Sequence, residues 1–264
     1  MNKTLLTLTA FAAALSTAHA APSTYVQPGK LTVCMNAAYA PMEYYVGADK
    51  TNPVGFDVDL AKALAKKLGL TFQPLEVSLA GIIPALNGGR CDVAWSSLYV
   101  TPARSAAADP VPYLKTGYTL LVKADNTSIK GLSDLAGKTL SYQSGSADEQ
   151  KVTELKNLLA TNKLPPVNLL GTDQGINVIQ NLMNGKADAA FGQDVSTPDI
   201  MAKTGGKLKV VPHAYAPENQ IGFYLNKGSK LTPTLRKAIN DMARDGTTEK
   251  IVKQWKLNPE NIIK

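Results

Sequence analysis

Histidine, cysteine, aromatic residues and long hydrophobic runs are all scarce in this chain, and each shortage removes a class of function. Of two histidines, His19 falls in an N-terminal leader-like stretch. That leaves His213, with no Ser, Cys or acid cluster beside it to build a nucleophilic triad. Metal-ligand spacing is absent, and the glycines of "GTDQG" and "TGGK" lack the phosphate-loop pattern. The formal charge of +7 suggests nucleic acid, but the lysines are scattered, without dense basic runs or interleaved aromatics, which argues against a nucleic-acid surface. No cofactor is implied.

No run reaches the roughly 20 apolar residues of a spanning helix. The longest candidate, Thr4 to Leu15, follows the positive start Met1-Asn2-Lys3 and precedes Ala18-His19-Ala20, an A-x-A pattern. This reads as a secretory signal over 1–20, cut after Ala20. No cysteine follows the cut, so a lipid anchor is not suggested, and the mature protein is expected in the periplasm. With 264 residues, 44% hydrophobic and 19% charged, the chain can fill the cores of two ordinary domains. Cys34 and Cys91 sit in apolar, strand-like runs. A disulfide and two buried free thiols are both compatible with that placement.

What the chain does contain is an internal echo. "IPALNGGRCDVAWS" (83–96) aligns without a gap on "IQNLMNGKADAAFG" (179–192). Each copy reads as a helix, a glycine stop (Gly89, Gly185) and a short apolar strand. A shorter echo precedes each: "GKLTVCMN" (29–36) and "GKTLSYQS" (137–144). The first unit is expected to run strand 31–36, helix from Phe56 to a stop at Gly69, strand 71–75, helix 80–88, strand 91–97. The second is expected to run strand 138–143, helix 147–160, strand 167–170, helix 174–184, strand 187–192. Such alternation predicts an α/β fold, each unit an open, mostly parallel sheet flanked by helices. Extended segments at 117–124 and 220–227 flank the second unit, and two helices parted near Gly246 close the chain. The arrangement expected is a discontinuous first lobe (21–117 and 222–264) with the second (118–221) inserted, joined by hinge crossovers near 114–120 and 218–224.

Ligands of open α/β sheets sit beyond the carboxyl ends of the strands. That selects Asn36, Tyr39, Leu79, Ser96 to Tyr99 (with Ser97), Ser144 to Ala147 (with Ser146), and Gln193-Asp194. Arg104 follows the Ser-rich strand end and Thr101-Pro102. A guanidinium there can grip a carboxylate through two parallel hydrogen bonds, or it can be a surface side chain on the helix that Pro102 begins. Tyr39 offers a stacking face, and Gly145-Ser146 offers free N–H groups before a helix. Asp92 and Asp188, matched in the echo, are expected in structural roles, and Tyr44, Tyr45 and Trp95 in packing.

Taken together, "YAPMEYY", "VGFDVDLAKALAKKLGL", "IIPALNGGRCDVAWSSLYVTPAR", "LSDLAGKTLSYQSGS", "LMNGKADAAFGQD" and "DGTTEKIVKQWKL" resemble the periplasmic solute-binding proteins of polar-amino-acid ABC importers over nearly the whole mature chain. The resemblance implies the two-lobed type II fold and a small amino-acid-like ligand. It also implies hinge closure, a membrane permease as partner, and a monomer. Arg104 would hold the α-carboxylate with Ser97 and Ser146, Tyr39 would stack on the side chain, and Leu79 would face it. Departures stand at Gln193, where the family usually has the ammonium-binding Asp (Asp194 is one residue late), and at Asn36, often an acid. Tyr99 and Ala147 replace small hydroxyl residues. Burying an unpaired charge costs several kcal/mol, so these changes argue against a lysine- or arginine-type ligand. They leave a neutral polar amino acid or an amino-acid derivative. The alternative implied by the same fold is an enzyme resembling cyclohexadienyl dehydratase, for which Asp194 and Glu43 are the acids available.

Overall fold

The computed structural model describes residues 25–212 and 219–264; the expected signal with its cut after Ala20, and His213, lie outside them. The described chain is built on two five-stranded sheets. The first unit runs β1 (Lys30–Met35), a small hairpin of β2 (Ala38–Tyr39) and β3 (Glu43–Tyr44), α1 (Phe56–Lys67) and β4 (Thr71–Glu76). A 3-10 turn (Leu79–Gly81), α2 (Ile82–Asn87), β5 (Val93–Tyr99), α3 (Pro102–Ala107) and β6 (Ala108–Thr116) follow. The second unit runs β7 (Tyr118–Lys123), β8 (Thr139–Gln143), α4 (Asp148–Thr161), β9 (Asn168–Thr172), α5 (Gly175–Met183), β10 (Ala189–Gln193), α6 (Thr197–Lys203) and β11 (Leu208–Val210). The chain re-enters the first sheet as β12 (Asn219–Asn226) and ends in α7 (Thr232–Arg244) and α8 (Thr247–Gln254).

The first sheet has the order β4-β1-β5-β12-β6 and the second, read from its far edge, β9-β8-β10-β7-β11. In each, three parallel strands are continued by two antiparallel ones. The two halves are therefore versions of one plan, and the echo is structural. Asp92 donates its N–H to the Thr32 carbonyl and accepts the Thr32 N–H at 2.7 Å. Asp188 makes the same two bonds with Thr139, both at 2.8 Å. Each aspartate thus pins the base of one parallel strand to the next.

β1 and β5 are buried along almost their whole length, as strands covered on both faces must be. α1 turns Phe56, Leu60 and Leu64 onto this sheet, where Trp95 stacks on Phe223 with ring centroids 4.4 Å apart and packs against Tyr113 at 5.4 Å. Cys34 of β1 and Cys91, two residues before β5, form a disulfide, which resolves the choice that the sequence left open. The segment "ADPVPYLKT" forms β6 despite Pro110 and Pro112. It does so at the sheet edge, where a missing N–H breaks no second ladder.

Candidate functional site

The carboxyl ends of β1, β5, β8 and β10 converge on one cavity of about 630 Å³, counting its opening to solvent. Asn36, Tyr39, Leu79, Ser96, Ser97, Tyr99, Arg104, Ser146, Ala147 and Gln193 all line it. Asp194 does not. Its carboxylate accepts the Thr116 hydroxyl at 2.5 Å and its N–H bonds the Gly117 carbonyl, where the chain passes from one sheet to the other. Of the two neighbours, the amide Gln193 faces the cavity and the acid is turned away.

Arg104 is held by its own helix start. The Thr101 hydroxyl caps the Arg104 N–H at 3.3 Å, and the guanidinium reaches the Tyr99 carbonyl (3.3 Å) and, across the cleft, the Gly145 carbonyl (3.2 Å). Among the described residues no carboxylate lies within ion-pair distance of it. Burial lowers its pKa, a sign that a partly desolvated cation wants an anion. Gly145 can have no side chain, because a Cβ would lie 2.6 Å from the Ala80 Cα of the opposite unit.

Further hydrogen bonds join the two units around the cavity. Gln143 Nε2 donates to Asn36 Oδ1 at 3.2 Å, Gln193 Nε2 to the Ser97 carbonyl at 3.5 Å, and the Tyr39 and Ser196 hydroxyls meet at 2.5 Å. Gln193 Oε1 is buried without a hydrogen-bond partner among the described residues. An unmade bond of that kind costs about 1–3 kcal/mol, so the cavity presents an acceptor for a donor that enters it. Tyr99 is fixed through its hydroxyl to the Gly117 carbonyl at 3.0 Å and stacks on Tyr118.

Beneath Ser96 and Ser97 lies an acidic pair. Asp57 accepts the Tyr113 hydroxyl (2.6 Å), the Ser97 N–H (2.7 Å) and the Ser97 hydroxyl (3.0 Å). Glu43 accepts the Ser96 hydroxyl (2.9 Å) and lies 3.2 Å from the same Ser97 hydroxyl. That hydroxyl has one proton and two carboxylates beside it. Asp57 already holds the Tyr113 and Ser97 N–H donors, so Glu43 is the group that carries a proton. Burial and then the charge of Asp57 push its pKa well above the usual carboxylate range. Ser97 itself has φ +47°, a left-handed conformation disfavoured for a non-glycine residue. The Asp57 bond to its N–H helps to hold it, and its carbonyl faces Gln193.

Glu43, Gln143, Asp148, Val178, Ile179, Phe191 and Ile200 also line the cavity, and strand-end reasoning missed them. Gln143 lay within reach of that rule, one residue before the stretch it selected. Asp148 reads as an ordinary acid in a first helical turn. It is half-buried in the cleft near Arg104, and burial raises its pKa to about 6 against the opposing bond from Ser146.

A sequence profile described as "Bacterial extracellular solute-binding proteins, family 3" matches residues 31–258. The arginine-binding extracellular protein ArtP of Bacillus subtilis (strain 168) is 32% identical over 86% of this chain and 86% of its own length. The putative amino-acid ABC transporter-binding protein PatH of Vibrio harveyi is also 32% identical, over 92% and 93%. Among solved structures, an ancestral arginine-binding protein bound to arginine matches with a TM-score of 0.77 and 32% identity, covering 86% of this chain and 98% of that one.

Proposed function

This chain belongs to the bacterial extracellular solute-binding proteins of family 3, and from that premise we propose that it is a periplasmic, monomeric amino-acid receptor that delivers its ligand to the membrane permease of an ABC importer. No helix among the described residues is long and apolar enough to cross a membrane. The observation that carries the reading is Arg104, a half-buried cation in the first turn of α3 with no counter-ion among the described residues, aimed into a cleft shared by both units.

In this reading the ligand's α-carboxylate lies on Arg104, beside Ser97 and Ser146. Gln193 Oε1 takes the ammonium, and Tyr39 and Leu79 hold the side chain. An amide in place of an acid still accepts an N–H but brings no compensating charge. The hinges are the passage from β6 to β7 at Thr116–Tyr118 and the return of the chain into β12. Binding shifts the equilibrium towards the closed form because only that form joins both halves of the site.

The test is a thermal-shift screen of refolded, ligand-stripped protein against the amino acids, repeated with Arg104→Ala. Stabilisation follows RT ln(1 + [L]/Kd). Loss of a buried charge partner worth about 3–5 kcal/mol weakens binding at least a hundredfold. An Arg104→Ala variant that binds as well as the parent would refute the carboxylate role.

A second reading rests on Asp148. A carboxyl titrating near 6 inside a cleft, beside an arginine, is suited to general-acid work, as a dehydratase on this fold would need. Asp194 is turned away and Glu43 is committed to the pair with Asp57, which leaves Asp148 as the acid for that role. Turnover of prephenate or arogenate, lost in Asp148→Asn, would establish it; inert substrates would dismiss it.

A further inference from the structure

Arg104 is not the one uncompensated charge at the cavity. Asp57 is fully buried and accepts three donors, the Tyr113 hydroxyl, the Ser97 N–H and the Ser97 hydroxyl. Three donors on one carboxylate mark it as the anion of its pair with Glu43. Among the described residues no lysine, arginine or histidine lies within ion-pair distance of either acid. A buried ion without a counter-ion is costly, and hydrogen bonds offset only part of that cost.

Ser97 stands between this charge and the cavity that it lines. Its N–H is on Asp57 at 2.7 Å, and its hydroxyl lies 3.0 Å from Asp57 and 3.2 Å from Glu43. Both of its protons are therefore committed to the acids, and the hydroxyl has only a lone pair to offer a ligand. Gln193 Oε1 adds a second acceptor without charge. An ammonium bonded to the far side of the Ser97 hydroxyl stands about 5–6 Å from Asp57, by ordinary hydrogen-bond lengths. The cavity's remaining acid, Asp148, stands near Arg104, whose positive charge already acts on it.

We propose that Asp57 is a positioning residue that supplies the counter-charge for the ligand's ammonium through Ser97, in place of an acid on the second unit, and so selects amino acids over the matching 2-hydroxy acids. This rests on the amino-acid reading above. A 2-hydroxy acid keeps the carboxylate for Arg104 and a donor for Gln193 Oε1, but it lacks the positive charge. At about 5–6 Å and an effective dielectric of about 20, that charge is worth about a hundredfold in affinity.

The test is calorimetric titration of the stripped, disulfide-intact protein with matched pairs: L-serine and L-glycerate, then L-glutamine and L-methionine, each with its 2-hydroxy analogue. The quantity read is the affinity ratio within a pair, because damage to the fold weakens both members alike. Wild type should favour the amino acid by about a hundredfold. In Glu43→Gln/Asp57→Asn neither position can ionise, and the ratio should collapse towards one. Gln193→Leu and Asp148→Asn should keep most of the ratio even where both affinities fall. A wild type that does not discriminate, a ratio that survives the double variant, or a ratio lost in Gln193→Leu or Asp148→Asn overturns the assignment and leaves the receptor reading intact. Should the double variant fail to fold, the wild-type and Gln193→Leu ratios decide. Binding by none of the amino acids overturns both.

Discussion

Replacing Glu43 by Gln and Asp57 by Asn should have very unequal effects, because one member of the pair is neutral and the other charged. Asp57 is fully buried and Glu43 is 1% exposed, so neither is relieved by water. In Glu43→Gln the new Oε1 can still accept the Ser96 hydroxyl, and the Nε2 donates where the carboxyl proton did; the cost at neutral pH should stay within about 1 kcal/mol. In Asp57→Asn the remaining oxygen must stay on the Ser97 N–H, and the amide nitrogen then faces Tyr113, whose proton loses its acceptor. Hydrogen bonds to a charged group are worth about 1.5–3 kcal/mol each, so a loss of about 3 kcal/mol is expected. The pH dependence separates the two further. Glu43 titrates above its ordinary value of 4.5 in the folded protein, so the unfolded chain releases that proton first. Its contribution is therefore complete below about 4.5 and declines by about 1.4 kcal/mol per pH unit until the folded pKa is reached. Glu43→Gln removes that decline, so its stability relative to wild type should improve as the pH rises. Urea unfolding between pH 4 and 8 measures both effects. Equal losses in the two variants, or a difference that does not change with pH, would sink the assignment of the proton.

Three further outcomes follow from the same contacts. Replacing Cys34 and Cys91 together by Ala opens a covalent loop with a sequence separation of 57, and the chain-entropy relation gives a loss of about 4 kcal/mol in urea unfolding; a loss under 1 would exclude that account. Asp92→Ala strands the Val26 and Thr32 N–H groups and should cost about 2–3 kcal/mol, whereas Asp188→Ala strands one exposed group and should cost less than 1; equal unfolding midpoints would contradict this. Asp148 titrates near 6 instead of 3.8, so wild-type stability should fall as pH rises between those values. Asp148→Asn should lack that component, and identical pH–stability curves for the two proteins would refute the shift.

The two-unit plan was legible because it is written in local patterns: apolar spacing before Gly89 and Gly185, then short apolar strands. Strand-end positions likewise brought Tyr39 and Gln193 to one cavity, whereas spacing alone left Arg104 between a ligand role and a surface one. Asp194 was misplaced because neighbouring strand-end residues face opposite ways, and the sequence does not say which turns inward. Asp57 stands in "GFDVD", where it reads as an ordinary helix-start acid, and Glu43 in "PMEY" was named only as an acid available for catalysis, not as half of a buried pair. Their meaning arises only when a hairpin, a helix and β5 bring them to the same serine hydroxyl. β6 was hidden by its prolines, which are tolerated only because the strand lies at an edge.

The second unit leaves the first at Thr116 and returns at Asn219, and these two residues face each other as partners in the β6–β12 ladder. Its entrance and exit are thus side by side on a framework already closed by its own hydrogen bonds. The intervening stretch can be treated as a cassette: excised as a piece, exchanged for the corresponding stretch of a relative, or carried on another receptor's first unit without altering the distance that its ends must span.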